Sequence, residues 1–136
     1  MWTSVFVLVQ CLVGAGTQLS PEQVAEQMRR AERLYENLDY EELVPLLMDI
    51  TEAEGVDEDT LMRAYYLYGA ALAVMGATVE AEGPFRALLA IDPDFDPLDY
   101  EAEGAAFPKV VAVFSKVRVE EEKKRLKKKS SFLRTF

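Results

Sequence analysis

From Ser20 onward the apolar residues of this chain recur in steps of three and four, and after the first 16 residues no window of four or more alternates convincingly. That rhythm is the helical period, so an all-α fold is predicted and no sheet. Ser20-Pro21-Glu22-Gln23 reads as a helix start, with Ser at N-cap, Pro at N1 and Gln at N3. Val24, Met28, Ala31, Leu34, Tyr35 and Leu38 then build one stripe. Asn37-Leu38-Asp39 is a short turn, and a second helix is expected over about 40–53, with Leu43, Leu46, Leu47 and Ile50 inward. Pro45 sits near its start, where a missing N–H costs least. Glu54–Asp57 is a loop, and Asp57 or Asp59 caps a third helix over 60–75. This helix is apolar on nearly every side and should be the most buried. Gly76 ends it, and a fourth helix over 79–91 stops at Asp92-Pro93.

Around Gly69 the spacing becomes specific. Tyr65 lies four residues before it and Tyr68 one before, and Leu72, Gly76, Ala81, Phe85, Leu88 and Pro93 follow. This pattern resembles the tetratricopeptide repeat, a 34-residue helix–turn–helix. Residues 62–95 fill one unit, departing at Leu88, where the family usually has alanine. In such a unit Gly69 and Ala81 are small because two antiparallel helices cross there. Tyr65, Leu72 and Phe85 fill the space between the helices, and Pro93 turns the chain. Residues 24–57 read as a degenerate copy, with Ala31, Leu34, Leu38, Leu43, Leu47 and Ile50 equivalent to Gly69, Leu72, Gly76, Ala81, Phe85 and Leu88. An ordinary helical hairpin is the alternative. Phe95–Tyr100 is a Pro-rich acidic connector. A closing helix from about residue 107 carries Val110, Val113, Phe114 and Val117 at helical spacing. The predicted architecture is two tetratricopeptide-like hairpins stacked as a short solenoid over 20–119, the long C-terminal helix covering the end.

Composition narrows the chemistry. None of the 136 residues is histidine, which excludes Ser-His and Cys-His nucleophiles and histidine metal ligation. The single cysteine, Cys11, allows neither a disulfide framework nor a zinc site. Asp92, Asp94 and Asp96 are spaced like calcium ligands, but Pro97 and Glu103 fall where an EF-hand loop needs Gly and continues to its Glu, and Pro93 stiffens the segment. The carboxylate pairs at Glu41-Glu42, Glu52/Glu54 and Asp57–Asp59 sit in polar turns and helix starts, where acids favour the dipole. No catalytic residue, metal or cofactor is therefore expected.

Residues 1–16 carry no charged side chain, and small residues follow the apolar stretch at Gly14-Ala15-Gly16. The stretch is short for a span and suits a secretory leader cleaved after Ala15, although it lacks a basic n-region. A buried strand or an uncleaved anchor are the alternatives. The connector and closing helix resemble small exported repeat proteins of Gram-negative bacteria, which with the leader implies the periplasm or cell envelope.

The resemblance also implies where partners bind: against the first helix of each pair. The matching candidates are Met28, Glu32, Tyr35 and Glu36 in the first unit, and Arg63, Tyr66, Ala70, Ala73 and Val74 in the second. Met28, Glu32, Tyr66 and Ala70 stand where some relatives carry the Lys/Asn set that clamps a C-terminal carboxylate. An apolar or aromatic segment with a basic flank is therefore the better ligand. Packing under the closing helix is the alternative use of these side chains. The charge of −9 is split unevenly: residues 116–136 carry nine bases and three acids, the rest six bases and 21 acids. An acidic body repels polyanions and only the basic tail attracts them; the export signal makes nucleic acid an unexpected partner. The extension over 120–136 offers Lys123, Lys124, Arg125, Lys127, Lys128 and Lys129, with Phe132, Leu133 and Phe136, to an anionic membrane surface. Glu120→Lys124 and Glu121→Arg125 are expected as i,i+4 pairs. The predicted function is a non-enzymatic protein–protein adaptor of the cell envelope. The alternative is a peripheral membrane-associated assembly factor acting through the tail.

Overall fold

A computed structural model describes residues 18–100 and 108–135, all of whose regular structure is helical. The leader, residues 101–107 and Phe136 lie outside the described residues, and the expected cleavage after Ala15 falls there with them. The helices are α1 (Pro21–Glu36), α2 (Tyr40–Glu52), α3 (Glu58–Val74), α4 (Thr78–Ile91), the single turn α5 (Pro97–Tyr100) and α6 (Pro108–Arg134). The connector, irregular by its sequence, contains α5 as a turn of helix.

The helix starts follow the sequence signals. The Ser20 hydroxyl accepts from the Gln23 N–H at 3.2 Å, and the Gln23 side chain accepts from the Ser20 N–H at 2.9 Å, a complete capping box. Asp57, rather than Asp59, caps α3: its carboxylate takes the Thr60 N–H at 3.1 Å and the Thr60 hydroxyl at 2.7 Å. The Thr60 hydrogen bonds hold the Asp57 carboxyl below its ordinary pKa. Because the cap is Asp57, α3 starts at Glu58 instead of Thr60. Pro45 is not in the first turn as expected but lies inside α2, at its sixth residue. Pro45 and Glu41 are both exposed, so water can reach the carbonyl that loses its helical donor.

Three residues join α1 to α2 and three join α3 to α4, so each pair must fold back as an antiparallel hairpin. The two turns are built alike, bond for bond, at an offset of 38 residues. The Asp39 N–H donates to the Leu34 carbonyl and the Ala77 N–H to that of Leu72, both at 2.9 Å. Leu38 donates to Tyr35 and Gly76 to Ala73, both at 3.1 Å. The residues at those central positions have φ of 62° at Leu38 and 87° at Gly76. This is the Schellman arrangement, in which a left-handed residue lets two N–H groups reach back to the last turn's carbonyls.

α3 lies at the centre, packed against α1, α2, α4 and α6. It buries Ala64, Tyr66, Leu67, Gly69, Ala70, Ala71 and Ala73, as its all-round apolar sequence requires. Small residues dominate because helices pack on several of its sides. At Gly69 the reason is local: an added Cβ would fall on the Phe85 ring of α4. α6 covers α3 and α4 with Val110, Val113, Phe114 and Val117, all buried. The Phe114 ring meets Phe85 edge-on at 5.3 Å and Phe95 of the connector at 6.0 Å.

Candidate functional site

The side chains singled out for recognition divide into two groups. Tyr66 and Ala70 are completely buried and Met28 is 5% exposed. Contrary to the expectation of an open face, they present almost no surface to a partner. The Tyr66 ring lies 5.6 Å from Phe95 and 6.5 Å from Phe85, inside the aromatic cluster beneath α6. On α3 the physical reason is that helices pack on several of its sides, α6 among them, and on α1 Met28 belongs to the stripe taken up by the same core. Ala73 is buried with them, and Val74 is half-buried.

The second group stays together at the surface. Glu32, Tyr35 and Glu36 of α1 and Arg63 and Leu67 of α3 line one cavity of about 340 Å³ between the two helices. Four of these five residues are sequence candidates; Leu67 is the addition. α1 delivers its three because residues 32, 35 and 36 fall on adjacent turns beside the buried stripe of Met28, Ala31 and Leu34. Glu32 and Arg63 form an ion pair across the groove, with side chains 33% and 48% exposed. At that exposure the pair orients the two side chains more than it stabilises the fold. The half-buried Tyr35 ring meets Tyr40 edge-on at 6.1 Å, which sets the ring's attitude in the wall. The groove thus offers an aromatic wall, an apolar floor at Leu67 and carboxylates at its rim. It is too small for more than a side chain or two.

The last helix holds the other candidate surface. Glu82 of α4, 13% exposed, accepts from Lys116 at 2.6 Å, and Arg86 lies 3.4 Å from Glu82 and 3.2 Å from Glu120. Arg86 Nε also approaches Glu121 at 3.5 Å. The hydrogen bond from Lys116 holds the Glu82 carboxyl below its usual pKa, and the same bond raises that of Lys116. Glu120 therefore turns to Arg86, and Lys124 pairs with Glu121 at i,i+3, 3.2 Å, in place of the expected i,i+4 pairs. Arg118 donates to the Phe95 carbonyl and lies over the Phe114 ring at 4.9 Å. These contacts clamp α6 to the body as far as Glu121. From Glu122 to Thr135 every residue is exposed, and this arm carries Lys123, Lys124, Arg125, Lys127, Lys128, Lys129 and Arg134 with no acid after Glu122.

The acidic positions are used in turns and caps. Asp92 accepts from the Asp94 N–H at 3.0 Å and Asp96 from the Leu98 N–H at 2.9 Å. Among the described residues no group of His, Cys, Asp and Glu is arranged to hold a metal ion, and no helix is long and apolar enough to cross a membrane. No protein-family model matches the chain, and no curated protein or solved structure matches it either.

Proposed function

We propose that this chain is a non-enzymatic protein–protein interaction module of the tetratricopeptide-repeat type, working in a bacterial cell envelope. The observation that carries the reading is the pair of hairpins with the same turn, bond for bond, stacked so that their first helices flank one groove. A repeat of this kind stacks into a scaffold and displays one helix of each unit to a partner. The uncharged apolar leader supports the envelope as the location. The groove suits a short segment with an aromatic or aliphatic anchor and a neighbouring Lys or Arg. The anchor meets Tyr35 and Leu67, and the base meets Glu36.

Selection from a random peptide library on the immobilised protein tests this. Aromatic residues flanked by bases should be enriched. Tyr35→Ala should cost the selected peptides at least about 2 kcal/mol of binding, as for a central anchor residue. Glu36→Lys should weaken them further, whereas Glu80→Lys, on the first turn of α4, should leave them unaffected. Failure to enrich any motif, or a motif insensitive to both groove substitutions, overturns the reading.

A further inference from the structure

We propose that the C-terminal arm of α6 is a membrane-surface anchor: it lies along an anionic bilayer with Val119, Leu126 and Leu133 facing the lipid and its bases on the headgroups. The site is distinct from the groove between α1 and α3, and neither depends on the other.

Spacing supplies the first argument. Val119, Leu126 and Leu133 are seven residues apart, and on a helix such a row drifts by only about 20° per step. They form one line, and all three are exposed, by 49%, 65% and 63%. Lys123 and Lys127 flank the line on one side and Arg125 and Lys129 on the other. A narrow apolar line between two basic borders is the pattern of a helix lying in a bilayer interface.

Direction supplies the second. Val119 is nine residues from Val110, half a turn away at about 100° per residue. The line therefore runs along the side of α6 opposite the one that Val110, Val113, Phe114 and Val117 bury against α3 and α4. A helix resting on a surface along this line carries its body on the far side, so nothing in the described fold blocks the approach.

Charge supplies the third. Everything before residue 116 is strongly acidic and is repelled by an anionic surface. The arm from Lys123 to Arg134 extends for about 17 Å at 1.5 Å per residue. That is about two screening lengths at physiological salt, where the screening length is about 8 Å. The body's repulsion is largely screened at the arm's far end, while its seven bases attract. Of the acids just before the arm, Glu120 and Glu121 are turned to Arg86, and the exposed Glu122 offsets only one of the seven bases. An anionic bilayer is favoured over an acidic protein because the apolar line and its basic borders, Lys123 and Lys127 on one side and Arg125 and Lys129 on the other, face the same way along the arm. A flat, laterally mobile charge sheet can answer all of them at once.

Co-sedimentation of the full chain with vesicles tests the proposal, using phosphatidylcholine alone and phosphatidylcholine containing about one third phosphatidylglycerol. The chain should bind the anionic vesicles and not the neutral ones, and binding should fall steeply with salt. Each base near the surface is worth about fivefold in partitioning, so reversing the border residues Lys123, Lys127 and Lys129 to Glu should weaken binding by more than about a hundredfold. The double variant Leu126→Ser and Leu133→Ser keeps every charge and should weaken it by roughly tenfold. Both variants should melt like the parent, because the arm lies outside the core. Absence of binding to anionic vesicles at low salt overturns the proposal. So does a serine variant that sediments like the parent: the arm would then read charge alone, as a soluble polyanion or an acidic protein would present it.

Discussion

The two hairpins share a turn but not a core. In α1–α2 the left-handed position is Leu38 and the positions facing across the hairpin are Ala31 and Leu47. In α3–α4 the same places hold Gly76, Gly69 and Phe85. The first hairpin holds a small and a medium-sized residue at these places and accepts a strained turn. The second pairs no side chain with a large ring and relaxes its turn with glycine. The second hairpin is also the one enclosed on both sides, by α1–α2 and by α6. Identical backbone hydrogen bonding thus tolerates quite different packing solutions. Where a unit is enclosed, the solution moves towards close helix approach and aromatic fill.

The largest expected break in this comparison is Phe85→Ala. A buried aromatic truncated to alanine costs about 3–5 kcal/mol. Here the ring also supports Tyr66 and Phe114, so the upper part of that range is expected. Leu47→Ala at the equivalent place should cost about 2–5 kcal/mol and fall below Phe85→Ala. Denaturant titrations of both variants decide it, and equal losses would mean that the roof adds nothing to the second hairpin.

Gly69→Ala comes next. The new methyl meets the Phe85 ring, and overpacking of this kind costs about 1–3 kcal/mol. Adding Phe85→Leu recreates the Ala–Leu pairing of the first hairpin, so the double variant should lose less than the two single losses combined. A coupling of about 0.5–3 kcal/mol in the double-mutant cycle would sharpen the comparison. Strict additivity would mean that the ring moves aside freely.

The turns should respond in opposite directions. Leu38→Gly relieves a left-handed leucine and should stabilise by about 0.5–1 kcal/mol, after the extra freedom glycine gives the unfolded chain. Gly76→Ala places a side chain at φ 87° and should destabilise by about 1 kcal/mol. A loss in both turns would show that the Leu38 side chain contributes packing that its 59% exposure does not suggest.

The smallest effect lies at the helix starts. α1 is capped by Ser20, which does not titrate, and α3 by Asp57, whose folded pKa is lowered by Thr60. A depressed carboxyl contributes stability that is fully present above its unfolded pKa and is lost as pH falls through the folded one. The stability advantage of the parent over Asp57→Ser should therefore shrink below about pH 4, the ordinary range for aspartate. A pH-independent difference would mean that the Thr60 hydrogen bonds do not favour the charged form.

Much of the fold was legible along the chain because it rests on local rules. The Ser20 capping box, the turn at Asn37–Asp39, the stop at Gly76 and the buried stripe of α6 each stem from residue type at close spacing. The candidate site was legible only in part. Spacing places Glu32, Tyr35, Arg63 and Tyr66 on the first helices of the two hairpins, but it cannot say which of them another helix will cover. The line of Val119, Leu126 and Leu133 carried a signal, its seven-residue step, that the run of bases around it obscured.

Where helices begin, turn and end could be read along the chain, because capping, left-handed turns and the 3.6-residue stripe act within a few residues. Which side chains remain available depends on packing between elements far apart in the chain. α6 packs back onto α3 and α4 around the core that holds Tyr66 and Ala70, and Arg86 draws Glu120 and Glu121 towards the body from 34 and 35 residues away. Burial and charge pairing depend on what lies nearby in space, and across such separations the helical period carries no information about proximity.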